Sequence, residues 1–428
     1  MVDQRRPSGT GLPKDAIPAQ EGIPRIHPGG EGSFLDKIEA STELMEINVG
    51  PQHPSTHGVL RLVLTLDGER IRGCVPDIGY LHTGFEKSFE SHTYQQCIPL
   101  TDRMDYLAPP MNNLGFALAT EKLLELEIPP RGQYLRVIIA ELSRIASHLI
   151  WLGTHALDLG ATTVFMYCWR ERDLILDIME WISGVRMMTS FIRVGGVMAD
   201  VPVEFEGMVR KFIKDFPHRV DEYEGLLTSN PIWRQRTIGL GKIDSARAVA
   251  YGCSGATLRG SGIPYDVRKA TPYSGYDRFD FEVPVGINGD VYDRYLVRVR
   301  EMRESCRIIE QALDGLPGGA VNSPDRKVSL PPRTEIDTSM EALIHHFKLT
   351  TEGFRPGPGN CYVATESARG ELGFFMTSDG GNRPYRCKVR GPSFSNLSAL
   401  SEMVVGELLA DAVAVIGSID IILGDVDR

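Results

Sequence analysis

Apolar residues recur every second position in the first part of the folded region and every third or fourth position further along the chain. Near the N-terminus every second residue is apolar, and the pair Asp67-Gly68 is a common hairpin turn. This pattern predicts strands at 44–49, 59–66 and 69–76. Beyond residue 87 the helical spacing takes over and predicts helices near 88–97, 101–107, 112–127, 134–160, 165–188, 203–227 and 290–314.

The C-terminal part of the chain returns to short elements. Residues 230–290 are dense in glycine and proline, which predicts mostly loop with short helices. Alternation between 360 and 390, with a turn at 379–382, predicts a second hairpin sheet, and an apolar stretch predicts a last helix at 397–417. Together these patterns predict an α+β fold, in which a central helical bundle carries small antiparallel sheets.

Residues 1–43 differ from the rest of the chain, because prolines and glycines are frequent there and apolar periodicity is weak. Such a segment is expected to be an extended or disordered arm. The remainder, 44–428, is predicted to be a single domain. Its parts are a β-hairpin region at 44–87, a helical core at 88–315, and a hairpin with a C-terminal helix at 316–428.

Composition and charge exclude several classes of protein. With 42% hydrophobic and 24% charged residues, the 428-residue chain is typical of a soluble globular protein. A net charge of −10 argues against a nucleic-acid-binding protein, which usually carries a basic excess. The seven cysteines form no C-x-x-C pair, so we expect reduced thiols rather than a disulfide framework or a local metal motif. The most hydrophobic stretch, 408–423, contains two aspartates and is shorter than the ~20 residues of a membrane span.

The predicted helix at 134–160 carries a polar stripe beside an apolar one. The apolar stripe comprises Leu142, Ile145, Leu149, Leu152, Ala156 and Leu159. The polar stripe comprises Glu141, Arg144, His148, Trp151, His155 and Asp158. The other faces are small or apolar, so we expect burial on most sides and paired polar groups. The spacing favours a structural network that joins neighbouring helices, with a functional role as the alternative.

Two histidines, His53 and His57, lie between Gly50 and Gly58 in a segment whose prolines exclude a helix. We predict a short ordered loop that leads into the first hairpin. Structural histidines, a catalytic or ligand-contacting histidine, and a metal-binding pair are all compatible with this pattern. The metal site is the least favoured, because there is neither a helix nor a third ligand nearby.

The stretch from Asp102 to Tyr106 combines charge with an aromatic hydroxyl. Asp102 and Arg103 are explained by capping and ion pairing at a helix start. Tyr106 offers an amphipathic ring with a hydroxyl donor ahead of a Pro-Pro break, although a core tyrosine gives the same pattern. The glycine-rich stretches at 239–241 and 315–319 lack the spacing of nucleotide-binding loops.

Several longer motifs occur in a fixed order from about residue 44 to the last residue. They are GPQHP at 50–54, HGVLR at 57–61, IGYLHTGFEK at 78–87, DRMDY at 102–106, IRVGGV at 192–197, LPGG at 316–319 and SIDIILGDVDR at 418–428. This set closely resembles the D-type subunits of respiratory complex I, the proton-pumping NADH:quinone oxidoreductase. The family is related to the large subunit of nickel–iron hydrogenases, whose fold the resemblance therefore implies.

The relationship to hydrogenases raises a rival reaction. In those enzymes two C-x-x-C motifs hold the metals, whereas the corresponding stretches of this chain, 79–87 and 420–428, contain no cysteine. Thiolate ligands are needed to hold nickel and iron there. We therefore expect that this chain holds no metal and no cofactor of its own, and that it is not a hydrogenase.

The resemblance assigns roles to individual residues. His57 and Tyr106 correspond to the residues that contact the quinone headgroup, and Asp158 corresponds to the aspartate that pairs with that histidine. Arg103 resembles the arginine near the terminal [4Fe-4S] cluster, which belongs to the neighbouring small subunit. His53 is expected to shape the loop.

The chain departs from the commoner family pattern at three positions. Thr83 stands where many members have arginine, and Val194 replaces a frequent proline. Met188 stands where many members have a histidine beside the terminal cluster. A protonatable donor next to a cluster raises its potential, and a thioether cannot do so. We therefore predict a lower cluster potential, which suits a low-potential acceptor such as menaquinone.

The resemblance implies a catalytic subunit that forms one wall of a quinone chamber and receives electrons for menaquinone or ubiquinone. The implied partners are the small iron–sulfur subunit, a C-type subunit, a two-cluster ferredoxin-like subunit and a membrane H-type subunit. The implied location is peripheral, on the cytoplasmic face of the bacterial cell membrane. The alternative is a non-catalytic scaffold subunit of the same complex or of a related, ferredoxin-fed complex.

Overall fold

A computed structural model of the protein describes residues 44–52 and 58–428. The predicted arm at 1–43 and the loop histidines His53 and His57 lie outside the described residues. In the described part, a helical centre carries small antiparallel sheets near both ends of the chain, which confirms the α+β fold class.

The first sheet is a three-stranded meander. Its strands, paired antiparallel in this order, are β1 (Met45–Val49), β2 (Arg61–Asp67) and β3 (Arg70–Asp77). Gly68 has a φ of +62° in the tight turn between β2 and β3, a conformation that glycine adopts without strain. Leu62, Leu64 and Leu66 alternate along β2 and are buried, so one face of the sheet packs against the C-terminal helices.

A bundle of long helices forms the centre of the molecule. Its first helices are α1 (Phe85–Ser91), α2 (Tyr94–Asp102), α3 (Pro109–Leu124), α4 (Pro130–Asp158), α5 (Thr162–Ser183) and α6 (Glu204–Leu227). Between α5 and α6 lies a short ribbon of β4 (Ile192–Arg193) and β5 (Gly196–Val197). Helix α4 is buried along most of its length, as its small and apolar remaining faces predicted.

The middle of the chain has short helices around one long helix. They are α7 (Pro231–Thr237), α8 (Ser245–Ala250), α9 (Gly255–Gly260), α10 (Val267–Ala270), the long α11 (Val291–Asp314), α12 (Arg333–Ile336) and α13 (Met340–Thr351). Helix α11 packs against α4, α6 and α9. The sequence pattern did not predict α12 and α13. Among the described helices, none combines the length and the apolar character that a bilayer crossing requires.

A second antiparallel sheet and four short helices complete the fold. They are β6 (Gly359–Ser367), β7 (Gly370–Ser378), β8 (Arg386–Arg390), α14 (Pro392–Ser398), α15 (Leu400–Val404), α16 (Leu409–Ile419) and α17 (Leu423–Asp427). This sheet packs on α3. Gly115 makes the close packing possible, because a Cβ there would lie 2.8 Å from the ring of Phe374.

Three predicted helices in the first half are wrong. The one at 88–97 is two helices, since α1 ends at Ser91 and Thr93 caps the start of α2. The one at 101–107 does not exist, since α2 ends at Asp102 and a turn follows. The carboxylate of Asp105 accepts the backbone N–H groups of Leu107 and Ala108 at 3.1 and 3.2 Å, which competes with helical hydrogen bonding. The helix predicted at 165–188 stops at 183, where Gly184 ends it in a left-handed conformation with a φ of +75°.

The single C-terminal helix predicted at 397–417 is also wrong. The backbone leaves the helical conformation after Val404 and pairs with the edge of β3. Ile71 donates its N–H to the carbonyl of Glu407 at 2.9 Å, and Gly406 donates to the carbonyl of Ile71 at 2.7 Å. Gly406, with a φ of +92°, allows the change of direction. The apolar stretch is therefore divided among α14, α15 and α16.

Candidate functional site

Tyr106 lies half-buried in the turn between α2 and α3. Asp105 fixes this turn, because its carboxylate binds two backbone N–H groups and also accepts two hydrogen bonds from Nη1 of Arg369, at 2.8 and 3.1 Å. Arg369 comes from the tight turn between β6 and β7 and is 1% exposed. A buried ion pair thus holds Tyr106 on a rigid support.

A narrow cleft opens beside Tyr106. Its walls come from the start of α3, from α4, from α5 and from the segment after α5, and comprise Tyr106, Leu107, Pro109, Pro110, Ser143, Ala146, Arg172, Ile175, Leu176, Met179, Arg186 and Met187. The volume of ≈ 20 Å³ accommodates about one water molecule. A quinone ring would therefore contact the mouth of the cleft rather than enter it.

The hydroxyl group of Tyr106 is suited to donate a hydrogen bond. Burial, followed by the charge of Asp105, raises the pKa of Tyr106 above its usual value, while Arg369 lowers it in part. The hydroxyl therefore keeps its proton at neutral pH. Among the described residues, none forms a hydrogen bond with this hydroxyl. It is free to meet a ligand.

Two of the other predicted site residues, Arg103 and Met188, lie near Tyr106. Arg103 is exposed at the end of α2, where its Nη1 donates to the carbonyl of Pro99 at 2.6 Å. Met188 is half-buried and follows Met187, which lines the cleft. These residues therefore lie close to the Tyr106 turn.

Asp158 is not part of the Tyr106 cleft. It is the last residue of α4 and is half-buried. Helix α4 borders the cleft at Ser143 and Ala146. At a rise of about 1.5 Å per residue, Asp158 lies about 18 Å further along the helix axis. Its predicted partner His57 lies outside the described residues, so that pairing stays a prediction.

The N-terminal part of the polar stripe on α4 belongs to a structural network, which is the interpretation that the spacing favoured. Glu141 accepts hydrogen bonds from Tyr276 and Ser305, both at 2.7 Å, and pairs with Arg144 and Arg268 at 3.1 and 3.0 Å. Burial alone would raise the pKa of Glu141, but the two guanidinium groups outweigh it and lower this pKa to about 2. The carboxylate therefore stays ionised.

The middle of the stripe joins α4 to α11 and α16. The Nε2 atom of His148 lies 2.9 Å from a carboxylate oxygen of Glu301. The indole N–H of Trp151 donates to the carbonyl of Gly417 at 2.7 Å, and the guanidinium of Arg298 stacks on the indole ring at 4.4 Å. These contacts confirm the expectation that His148 binds a neighbouring helix.

Sequence reasoning missed two residues behind the Tyr106 turn. Arg369 pairs with Asp105, and its Nη2 also lies 3.4 Å from a carboxylate oxygen of Asp420. Asp420 has a left-handed φ of +56° at the end of α16 and is 2% exposed. No local signal marks Arg369, because its partners are more than 50 residues away in the chain.

The two stretches that correspond to the metal-binding motifs of hydrogenases meet in the structure. Asp427 accepts the backbone N–H groups of Gly79 at 2.9 Å and Leu81 at 2.7 Å. The Nδ1 atom of His82 lies 2.5 Å from the carbonyl oxygen of Asp427. Hydrogen bonds to a carboxylate thus join the two stretches. Within the described residues, no group of three or more His, Cys, Asp or Glu side chains is placed to hold a metal ion.

Known proteins of one family match this chain over most of its length. The family described as the respiratory-chain NADH dehydrogenase 49 Kd subunit matches residues 158–428. A D-type NADH-quinone oxidoreductase subunit of Chloroflexus aurantiacus is 58% identical over 395 residues, which cover 91% of this chain and 96% of that protein. The D-type counterpart from Koribacter versatilis is 58% identical over 384 residues, with 90% and 96% coverage. The counterpart from Geotalea uraniireducens is 55% identical over 389 residues, with 91% and 100% coverage.

The relatives cover at least 90% of this chain, so fewer than 45 residues are unmatched and the DRMDY turn and helix α4 are included. The family match reaches residue 428. The chain therefore belongs to the family of 49 kDa, or D-type, subunits of NADH:quinone oxidoreductase, and is a subunit of that oxidoreductase complex.

Proposed function

We propose that this subunit forms one wall of a quinone-binding chamber and that the small iron–sulfur subunit forms the facing wall. Electrons pass from the terminal [4Fe-4S] cluster of that neighbour to a quinone whose headgroup binds at Tyr106. The observation that carries the proposal is the protonated, half-buried Tyr106 hydroxyl at the mouth of a cleft, held by the Asp105–Arg369 pair.

The chemistry of quinone reduction fits these groups. Reduction adds two electrons and two protons, and negative charge builds on the carbonyl oxygens. Donors aimed at such an oxygen stabilise the reduced states, most strongly when they are already oriented. The rigid turn around Tyr106 supplies this orientation, because the turn is held by four hydrogen bonds to Asp105. Tyr106 therefore acts as a hydrogen-bond donor to the headgroup.

His57 and Asp158 complete the proposal: His57 contacts the headgroup opposite Tyr106, and Asp158 is the partner of His57 and does not itself touch the headgroup. With a reference pKa of about 6.5, a histidine can donate a proton near neutral pH. A carboxylate at Asp158 favours the protonated imidazole, and the half-buried end of α4 strengthens the interaction by excluding part of the solvent. His53 shapes the loop that carries His57.

The residues near the cluster tune its potential. Arg103 is exposed at the end of α2 and is available to an interface with the cluster-bearing subunit. Met188 lies on the loop after α5, directly after a residue that lines the cleft. A thioether cannot supply the proton-dependent charge of a histidine, so we infer a low cluster potential and menaquinone as the natural acceptor, with ubiquinone as the alternative.

We further propose that this chain works in the peripheral arm of the larger complex. The partners are the small iron–sulfur subunit, the C-type subunit, the two-cluster ferredoxin-like subunit and the membrane H-type subunit. The complex pumps protons, and this chain occupies its peripheral arm on the cytoplasmic face of the cell membrane. Quinone is its substrate, and it holds no cofactor alone.

The test compares Tyr106→Phe and His57→Ala in the assembled complex. General acid–base groups contribute about 10²–10⁴-fold to rates, so we expect quinone reduction to fall by at least about tenfold in each variant. NADH oxidation by a hydrophilic artificial acceptor, which takes electrons before the quinone, should remain at the parent level and serves as the control. If both variants assemble and reduce quinone at the parent rate, the chain is a scaffold that only seats its neighbour.

A further inference from the structure

A buried ion network lies behind the Tyr106 turn. It consists of eight side chains that are at most 2% exposed: Glu141, Arg144, His148, Arg259, Asp266, Arg268, Glu301 and Glu366. Its N–O distances are 2.6 Å for Arg259–Glu301, 2.7 Å for Arg259–Glu366, 2.7 Å for Arg268–Asp266, 3.0 Å for Arg268–Glu141, 3.1 Å for Arg144–Glu141 and 2.9 Å for His148–Glu301. The network connects α4, α9, α10, α11 and β6.

The charges of the buried ion network do not balance without a proton. Its acidic members are four carboxylates and its permanently basic members are three guanidinium groups. An uncompensated charge in a protein interior is very costly. Buried Arg298 also acts on His148 and Glu301, and the pairs of Arg369 with Asp105 and Asp420 adjoin the network. With these four groups included, six carboxylates face five guanidinium groups, so the assembly is neutral only when it holds one proton, on His148 or on a carboxyl group.

His148 is the member whose proton can be exchanged with a group outside the network. Its Nε2 atom faces Glu301, and its Nδ1 atom is buried without a hydrogen-bond partner among the described residues. Burial and then Asp266 also raise the pKa of Glu366. Its two oxygens, however, already accept from Arg259 at 2.7 Å and from the N–H of Val267 at 3.1 Å, so it offers no open atom for exchange. Buried polar atoms normally have a partner, which is often ordered water.

Asp420 has a carboxylate oxygen that could pair with the Nδ1 atom of His148 through water. One carboxylate oxygen lies 3.4 Å from Nη2 of Arg369, and the other is buried without a partner among the described residues. The two groups lie on helices in contact, because Trp151, three residues after His148, donates to the carbonyl of Gly417, three residues before Asp420, at 2.7 Å. His148 also acts electrostatically on this carboxylate. Ordered water is the natural bridge between a ring nitrogen and a carboxylate that do not touch.

The proton affinities of the two groups are brought together by burial. Burial raises the pKa of Asp420, while Arg369, Arg298 and His148 lower it in part and Asp105 raises it. Burial lowers the pKa of His148, while Glu301 opposes the shift and two guanidinium groups, those of Arg298 and Arg144, add to it. Burial thus moves the pKa of Asp420 and the pKa of His148 toward each other.

We propose that His148 and Asp420 form a buried proton-binding pair, bridged by ordered water, which takes up one proton when negative charge builds on the quinone headgroup beside Tyr106. The proposal rests on the proposed function for the position of the headgroup. The link between the two places is the ion-pair chain from Asp105, next to Tyr106, through Arg369 to Asp420.

The step balances in electrons and protons. The headgroup receives two electrons from the cluster of the neighbouring subunit and two protons that come from solvent, which gives neutral quinol. The pair receives one further proton from solvent while the headgroup is still anionic, and returns it to solvent afterwards. Only one N–H or O–H bond forms in the pair. The same proton leaves when neutral quinol departs and the added negative charge is gone. Arg369 transmits charge rather than protons, because a guanidinium group does not deprotonate in proteins.

The test is infrared difference spectroscopy of the assembled complex, oxidised minus reduced by NADH, with quinone present. The parent complex should show a proton-uptake band of a carboxylic acid or an imidazolium group that shifts in heavy water. Asp420→Asn and His148→Gln should lose this band. The matched control is Asp290→Asn. Asp290 is also a buried carboxyl with a pKa raised by burial, and its two oxygens accept the N–H of Asp293 at 2.9 Å and of Gly239 at 2.7 Å. Asparagine keeps the cap on α11 and loses one acceptor, so the variant removes a buried acid outside the pair and should retain the band.

Two results would overturn the proposal. One is a band that persists unchanged in Asp420→Asn and His148→Gln, and the other is a parent complex that reduces quinone without any such band. If either variant fails to assemble, Asp420→Glu retains an acid and should shift the band, and an unshifted band would count against the pair. Failure of the proposed function would appear differently, as quinone reduction that does not depend on Tyr106 and His57.

Discussion

At the scale of single residues, the position of Tyr106 depends on a partner far away in the chain. Asp105 and Arg369 are 264 residues apart, yet their buried pair fixes the turn that presents the hydroxyl. The role of Tyr106 could be predicted only from the DRMDY motif and its resemblance. Its support could not, because nothing near Ala368-Arg369-Gly370 marks the arginine as a partner of that turn.

Met188 gives a residue-scale prediction about the terminal cluster. Met188→His should raise the midpoint potential of the cluster at low pH, and the gain should vanish as pH rises through the pKa of the new imidazole. A unit charge about 10 Å away stabilises the reduced cluster by on the order of 1–2 kcal/mol at an effective dielectric constant of about 20. The measurement is a redox titration of the assembled complex followed by electron paramagnetic resonance.

The control for this titration is Met188→Leu, which changes the side chain without adding a charge and should leave the potential unchanged. A pH-independent potential in Met188→His would show that residue 188 does not face the cluster. A parent potential typical of histidine-bearing relatives would refute the idea that Met188 lowers it.

At the scale of secondary-structure elements, the spacing of apolar residues predicted those strands and helices that depend mainly on nearby residues. The strands β2 and β3, the turn at Gly68 and the long helices α4, α6 and α11 follow from alternation and helical spacing. The break of the apolar stretch at Gly406 did not, because it is made by hydrogen bonds to Ile71 in a distant strand. The turn at Asp105 was missed because a side chain replaces helical hydrogen bonds there.

The contact between α3 and β7 gives an element-scale prediction. At Gly115 a Cβ would lie 2.8 Å from the ring of Phe374 and 3.1 Å from Oγ1 of Thr365. Gly115→Ala should therefore lower the free energy of unfolding by about 1–3 kcal/mol, the usual cost of overpacking. The measurement is urea unfolding of the purified chain followed by tryptophan fluorescence.

Gly225 is the matched control for that substitution. It is an exposed helical glycine in α6, and a Cβ there would meet no atom within 4 Å. Gly225→Ala should raise stability by about 0.5–1 kcal/mol through helix propensity. Equal effects of the two alanines would contradict the tight contact between α3 and the second sheet.

At the scale of the whole molecule, the buried ion network makes stability depend on acid. The pKa of Glu141 is lowered from 4.5 to about 2, and that of Asp266 from 3.8 to about 2. For both groups burial opposes the shift, but guanidinium groups outweigh it. Groups with lowered folded-state pKa values contribute stability that is present above the unfolded pKa and is lost as pH falls. Acid therefore weakens the connection between the long helices.

The expected outcome is a fall in the free energy of unfolding between about pH 4.5 and pH 2, with about 3 kcal/mol from Glu141 alone. Urea unfolding of the purified chain across this range measures it. Glu141→Gln should be less stable at neutral pH and should show a flatter acid slope. Glu310→Gln, on the exposed side of α11, should leave the slope unchanged. A parent-like slope in Glu141→Gln would mean that the network does not control acid stability.

The central claim is that the quinone headgroup binds at Tyr106, and the most direct test is a structure of the assembled complex with quinone bound. We expect density for the headgroup at the mouth of the Tyr106 cleft, with one carbonyl oxygen about 2.6–3.2 Å from the Tyr106 hydroxyl. The Asp105–Arg369 pair should be unchanged, because it holds the turn before quinone arrives. Headgroup density elsewhere at saturating quinone, with Tyr106 touching no ligand, would show that quinone does not bind at Tyr106.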